Sequence, residues 1–398
     1  MANPAPTSSD RNQPEEPASS ETSESPELAG LVASFVLTEF GSPDGKKRKA
    51  DSDMTTGVDF GDFGRVYCRL GEPGFYNIYD VVEHGLRMEA EDDDREDEDF
   101  DESEDLMPLG LTEEEQLIHG GWLLLKRRIP GFKKAMLKAV ALRSFRRKIC
   151  GQIQTGVQDQ RSDDTGSLKY DILRYLSSDP SISCPIPHDS KLKSLRGWTD
   201  PLTSTLLTPL ELEANKDTWD AITTGHIRVT ADQWPRFCYP EGRQYMPDNE
   251  EEGLFKGFLL VRVAKHILTG PHTALKGPGG GGKGCNARRI GMTGMTPQVL
   301  AYVAIQTRFN ICDVQDWDRM DRDFDLSKFW WNIVSFFEDG EGTEILEFYN
   351  RELFGGAHSL QGMQPGAAGG PTVSAKDRMR AERAAKRARI EQSPGPSS

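Results

Sequence analysis

The sequence has no closely spaced pair of cysteines. Its six cysteines stand at positions 68, 150, 184, 238, 285 and 312 without a C-x-x-C, whereas structural zinc takes paired thiolates and small secreted scaffolds space their cysteines tightly. Free thiols in a reducing compartment fit that distribution. A long apolar run is missing as well, since nothing approaches the roughly 20 residues of a membrane helix. The opening MANPAPTSSDRNQPEEP has neither the basic nor the apolar section of a secretory signal. The expectation is an intracellular protein, neither secreted nor membrane-bound. Catalytic signatures are also absent: the seven histidines form no H-E-x-x-H, and no G-x-S-x-G occurs. The reading leans away from an enzyme, with no catalytic residue, cofactor or metal expected.

Apolar residues are scarce overall, at 36% of 398, too few for a core that runs the whole length. They thin out at the two ends and in one acidic run, which leaves the middle for a single globular body of roughly 250 residues. The net charge of −15 is equally uneven. The stretch EAEDDDREDEDFDESED, from Glu89 to Asp105, holds thirteen acidic residues and one arginine, so the rest of the chain is nearly neutral and in places basic.

Five regions follow. Residues 1–57 are Ser-, Pro- and Glu-rich and read as disordered, with the basic cluster Lys46, Lys47, Arg48 and Lys49 inside them. Residues 58–88 read as a short ordered or docking piece with Gly-Pro-Gly turns, and 89–105 as an acidic linker kept extended by its own repulsion. The globular part spans 106–356, and 357–398 is a disordered tail with a basic, helix-prone segment carrying Lys386, Arg387 and Arg389. Within the globular part Thr112 and Glu115 have the spacing of a capping box, and a further helix is expected from Phe132 to about Ile153, with a short one over 168–176. Leu260, Val263, Ala264, Ile267 and Leu268 form a helical stripe. Thr296 and Pro297 open a helix in the preferred order, and Gly355 closes the last one. Strand signals are sparse. The fold class is mostly α, a single helical globular domain with proline-rich irregular connections, flanked by disordered N- and C-terminal regions.

Two stretches come close to known sites. Gly277 to Lys283 satisfies G-x-x-x-x-G-K, but Gly284 stands where a P-loop needs Ser or Thr for magnesium, and a helix rather than a strand precedes it. It reads as a loop. Asp321, Asp323 and Asp325 match the first three ligand spacings of a calcium loop, yet the required glycine is Leu326 and the closing glutamate is Asn332. Arg319 and Arg322 would repel a cation there, so local ion pairs at a helix start are expected. Cys184 and His188 are four apart in a proline-rich loop and lack further partners.

The succession RSDDTGSLKYDIL, LRGWTDPLTSTLLTP, ITTGHIRVTADQWPRFCYPEG, EGLFKGFLLVRVAKHILTGP, NARRIGMTGMTPQVLAYVAIQTRF and FDLSKFWWNIVSFFED resembles an uncharacterised domain family expanded in mushroom-forming fungi, over about residues 105–355. The resemblance rests on the order of the blocks and implies a domain of unknown function. It brings no activity, fold or partner. In that comparison the glycine stretch is similar to a loop insertion.

The basic features remain. Lys126 to Lys148 carries ten basic residues and no acid, which suits either a solvated helix or a surface for phosphate backbone. Lys46–Lys49 and the cluster at 386–389 have the make-up of nuclear-import signals open to an import receptor. The leading expectation is a nuclear, otherwise cytoplasmic, binding or adaptor protein with protein partners, and with nucleic acid as a partner through segment 126–148 and the basic tail. The alternatives are a nucleic-acid- or nucleotide-acting enzyme with a site not visible in sequence, and a structural protein of a mobile element.

Overall fold

The computed structural model describes residues 59–93, 107–108, 110–138, 143–179, 181, 193–280, 282, 284–337 and 342–355. Among these the regular structure is twelve α-helices and one two-stranded hairpin. The helices are α1 Phe60–Leu70, α2 Ile78–Asp93, α3 Glu113–Arg128, α4 Phe132–Lys138, α5 Arg143–Asp171, α6 Pro201–Leu207, α7 Lys216–Thr223, α8 Phe258–Leu268, α9 Asn286–Arg289, α10 Pro297–Ile311, α11 Leu326–Phe336 and α12 Thr343–Phe354. The hairpin pairs β1 Met320–Asp321 with β2 Phe324–Asp325. The domain is mostly α, as its sequence predicts.

Its axis is α10. Every residue from Val299 to Ile311 is buried, which requires partners all round a helix, and α1, α5, α6, α8 and α11 supply them. Thr296 accepts the Val299 N–H and Pro297 takes the first turn, while Gly355 ends α12 at φ +82°, a conformation that glycine adopts without strain. The capping box at the start of α3 is present, with Thr112 and Glu115 each bonded to the other's backbone N–H.

Two parts differ from expectation. The region read as a short ordered or docking piece, with the first residues of the run read as an acidic linker, forms α1 and α2, and α2 runs on to Asp93. Phe60, Tyr67, Cys68, Ile78, Val81 and Val82 are buried in the same core as α10. The stretch Gly71 to Gly74 lies in the turn between these two helices. The crossing of α1 on α5 depends on glycine: a β-carbon on Gly64 would lie 2.0 Å from the Ile153 carbonyl oxygen, and one on Gly156 2.0 Å from that of Gly61.

The second difference concerns α5. Sequence periodicity predicts a helix from Phe132 to Ile153 and another over 168–176. Instead α4 stops at Lys138, and one 29-residue helix carries Arg143 through Asp171 into a 3-10 turn at Ile172–Tyr175. Its buried residues include Ile149, Ile153, Val157, Gln160, Asp164 and Leu168. Two of those six are polar, so the apolar stripe looks broken in the middle.

Candidate functional site

Asp164 accepts from Arg69 Nε at 2.9 Å and Nη2 at 2.5 Å, and from the Tyr302 hydroxyl at 2.8 Å. Gln306 donates to that hydroxyl at 3.2 Å and takes the Thr165 hydroxyl on its own oxygen at 3.1 Å. Arg69 and Asp164 are 6% and 5% exposed. A two-pronged ion pair this far from water is held by geometry, and its remaining lone pairs must be filled. The Tyr302 hydroxyl fills one. Beside it Arg161 donates to the Pro73 carbonyl at 2.8 Å and lies over the Trp317 ring at 4.6 Å. Glu72, in the turn after α1, accepts from the Gly74 N–H at 2.9 Å, the Phe75 N–H at 2.5 Å and the Tyr67 hydroxyl at 3.2 Å. Burial pushes its carboxyl up to about 7 against those bonds. Arg69, Asp164 and Tyr302 are buried, and their bonds tie α1, α5 and α10 together.

The basic segment has a different character. Glu89, on α2, takes Lys126 at 2.7 Å, Lys133 at 2.5 Å and the Trp122 indole N–H at 3.0 Å. Burial alone would push its carboxyl up, and those three donors hold it down at about 2. Glu83 takes Arg146 at 2.8 Å, and Arg146 and Arg147 lie over Tyr79 at 5.7 and 5.6 Å. One side of segment 126–148 is therefore turned into a seam with α2. Arg127, Lys134, Arg143, Arg147 and Lys148 stay exposed. The acidic run begins in this seam, because Glu89 is its first residue.

The glycine stretch follows α8 and precedes the four-residue α9. Lys265 donates to the carbonyls of Lys276 and Gly277 at 3.0 and 3.2 Å and to Glu352 at 3.0 Å, while the Gly279 N–H bonds the Glu352 carbonyl at 2.9 Å. The loop is thus tied to α8 through two of its carbonyls and to α12 through the Gly279 N–H, with Lys265 bridging to Glu352. Lys283 lies outside the described residues.

The three aspartates of the calcium-like stretch each face an arginine. Asp321 takes Arg308 at 2.7 Å, Asp323 takes Arg228 at 2.7 Å, and Asp325 takes Arg319 at 2.7 Å while capping α11. Among the described residues no group of three or more His, Cys, Asp or Glu could hold a metal. His266 sits between Ser167 at 2.7 Å and Tyr175 at 3.0 Å, and burial lowers its pKa. A shallow surface depression of about 560 Å³ gathers Asp80, Glu83, His84 and Glu115, but Glu115 is bonded to Thr112, Glu83 to Arg146, and the His84 Nδ1 lies 3.1 Å from Arg87. The import clusters Lys46, Lys47, Arg48, Lys49 and Lys386, Arg387, Arg389, together with Cys184 and His188, lie outside the described residues. No helix among the described residues is long and apolar enough to cross a membrane.

The blocks that resemble a family meet one another in space. Asp164 of RSDD meets Tyr302 of AYVA; Arg196 of LRGW donates to the Asn310 carbonyl at 2.5 Å and to that of Lys169; Trp234 of QWP packs on Phe255 and Phe329 at 5.1 and 5.9 Å between ring centres. A family of unknown function, DUF6698, matches residues 155–354. The chain belongs to the DUF6698 family. No curated protein and no solved structure matches it. The DUF6698 match opens inside α5, so Asp164 lies within it while its partner Arg69 lies ahead of it. The R-x-D-D spelling marks Asp164 in the sequence. Nothing there marks Arg69 as its partner, or Glu89 as the anchor of Lys126 and Lys133, because both pairs join helices far apart in the chain.

Proposed function

We propose that this DUF6698 protein is a nuclear binding protein that holds the phosphate backbone of nucleic acid on its basic segment, with its acidic run as an internal competitor. The observation that carries the reading is Glu89. The first residue of the acidic run is bonded to Lys126 and Lys133 of the basic segment, so the run is tied to that segment where it starts. Exposed charge pairs are individually weak and screened over about 8 Å in physiological salt. Competition of this kind is therefore loose and salt-sensitive, which suits a brake.

The test neutralises the acidic residues from Glu91 to Asp105 as Gln and Asn, leaving Glu89 in place and the chain length unchanged. Affinity for generic DNA or RNA should rise, and log affinity should fall steeply against log salt. Equal and negligible binding by the two proteins at low salt would sink the proposal. Nuclear import is assigned to Lys46–Lys49 and to Lys386, Arg387 and Arg389. A fluorescent fusion with alanine at all seven should remain in the cytoplasm, and a cytoplasmic unmodified fusion would remove this part of the reading.

A further inference from the structure

Ser167, near the end of α5, is exposed, and its hydroxyl lies 2.7 Å from Nε2 of His266 on α8. The imidazole stands behind it, 3% exposed, with Nδ1 beside the Tyr175 hydroxyl at 3.0 Å and the Asp171 carboxylate at 3.8 Å. Positions 167, 171 and 175 are four apart, so the end of α5 and the 3-10 turn after it bring all three side chains to one ring. A carboxylate beside Nδ1 favours a proton on that nitrogen, which donates to the Tyr175 oxygen. Nε2 is then the acceptor, and the Ser167 hydroxyl donates to it.

A serine and a histidine that only satisfied each other inside the core would both be shut away from water. Here the serine is on the wet side and the ring on the dry side. A hydroxyl within hydrogen-bond reach of a base, with the base oriented by a third group, is the arrangement that activates a nucleophile. The base must be neutral to act. Burial lowers the pKa of His266 by more than Asp171, and then Asp164, raise it. The cations close to it in the chain are engaged elsewhere: Arg174 pairs with Asp171 at 3.5 Å, Arg262 donates to the carbonyls of Tyr175, Ser177 and Ser178, and Lys265 pairs with Glu352 at 3.0 Å. Because Ser167 lies within a helix, the N–H groups beside it are bonded along α5. Its own segment therefore supplies no oxyanion donor, and the site suits a reagent that brings a good leaving group.

We propose that Ser167 is a nucleophile that takes an acyl group from an activated ester, with His266 as its general base and Asp171 and Tyr175 as positioning residues. Ser167 Oγ bonds to the carbonyl carbon as its proton passes to Nε2. The bond to the leaving oxygen then breaks, that oxygen takes the proton from Nε2, and an O-acyl serine remains. The imidazolium formed in between is stabilised by the Asp171 carboxylate. This activity is separate from the nucleic-acid reading and does not depend on it.

The full chain is treated with an aryl acetate and, separately, with an alkyl fluorophosphonate, from which fluoride leaves as the serine oxygen bonds to phosphorus. Peptide mass spectrometry locates the label. Phenol release should show a burst of about one equivalent per chain, with Ser167 modified and Ser162, exposed on the same helix, unmodified. S167A, a change at an exposed position, should remove the burst and leave the melting temperature unchanged. H266Q should slow labelling about a hundredfold. The labelling rate should rise with pH and level off, with its midpoint below 6.5, the ordinary imidazole value. D171N should move that midpoint to lower pH, because a negative charge beside the ring is gone, and it carries the test if H266Q does not fold. Absence of label on Ser167 from both reagents would overturn the proposal, as would equal labelling of Ser162 and Ser167 or a midpoint unmoved in D171N.

Discussion

Two carboxyls packed among the N-terminal helices answer pH in opposite senses. Burial raises Glu72 to about 7 from an ordinary 4.5. Between about pH 4.5 and 7 the folded chain therefore keeps a proton that the unfolded chain has lost, and the stability linked to this group falls as pH rises through that window. Glu89 is held at about 2 by Lys126, Lys133 and Trp122. Its contribution is complete above about pH 4.5 and is lost as pH falls toward 2. Replacing Glu72 with Gln should flatten the decline in melting temperature between pH 5 and 7.5 without altering the acid limb below pH 4. Parallel melting curves across pH for E72Q and the unmodified chain would show that Glu72 does not titrate in this window.

At the scale of elements, what the sequence made legible was whatever has a local signature. The capping box at Thr112, the Thr296–Pro297 start and the Gly355 stop each depend on residues within a few positions, and all three stand as read. Elements that depend on a distant partner were hidden. The buried face of α5 includes Asp164, a carboxylate that becomes acceptable inside only once Arg69 and Tyr302 are in place. The crossing of α1 on α5 needs Gly64 and Gly156, and in sequence alone glycines in a polar context read as turns. The basic segment illustrates the same limit: its charges are visible in the sequence, but the division between those facing α2 and those left in water is set by where Glu83 and Glu89 stand.

At the scale of the whole molecule, a single core cluster runs from Phe60 to Leu353, across the edge of the family match at residue 155. A chain cut to 155–354 would lose the first half of α5 and leave Asp164 without Arg69. Breaking a buried ion pair by removing one partner costs about 3–5 kcal/mol, a large share of the roughly 5–15 kcal/mol that holds a domain folded. Fragment 59–355 is therefore expected to melt in one cooperative transition, whereas 155–354 should lack one or precipitate. A cooperative melt of 155–354 at the same temperature as the longer fragment would refute this. The Arg69–Asp164 pair also has a consequence for how relatives can diverge. The aspartate and its arginine lie on helices 95 positions apart, yet neither can be lost alone without stranding a charge inside. Across members of the family the two positions should change together, so that a relative with an apolar residue at the aspartate's place has also given up the arginine, and paired substitution marks out which members have the same two opening helices.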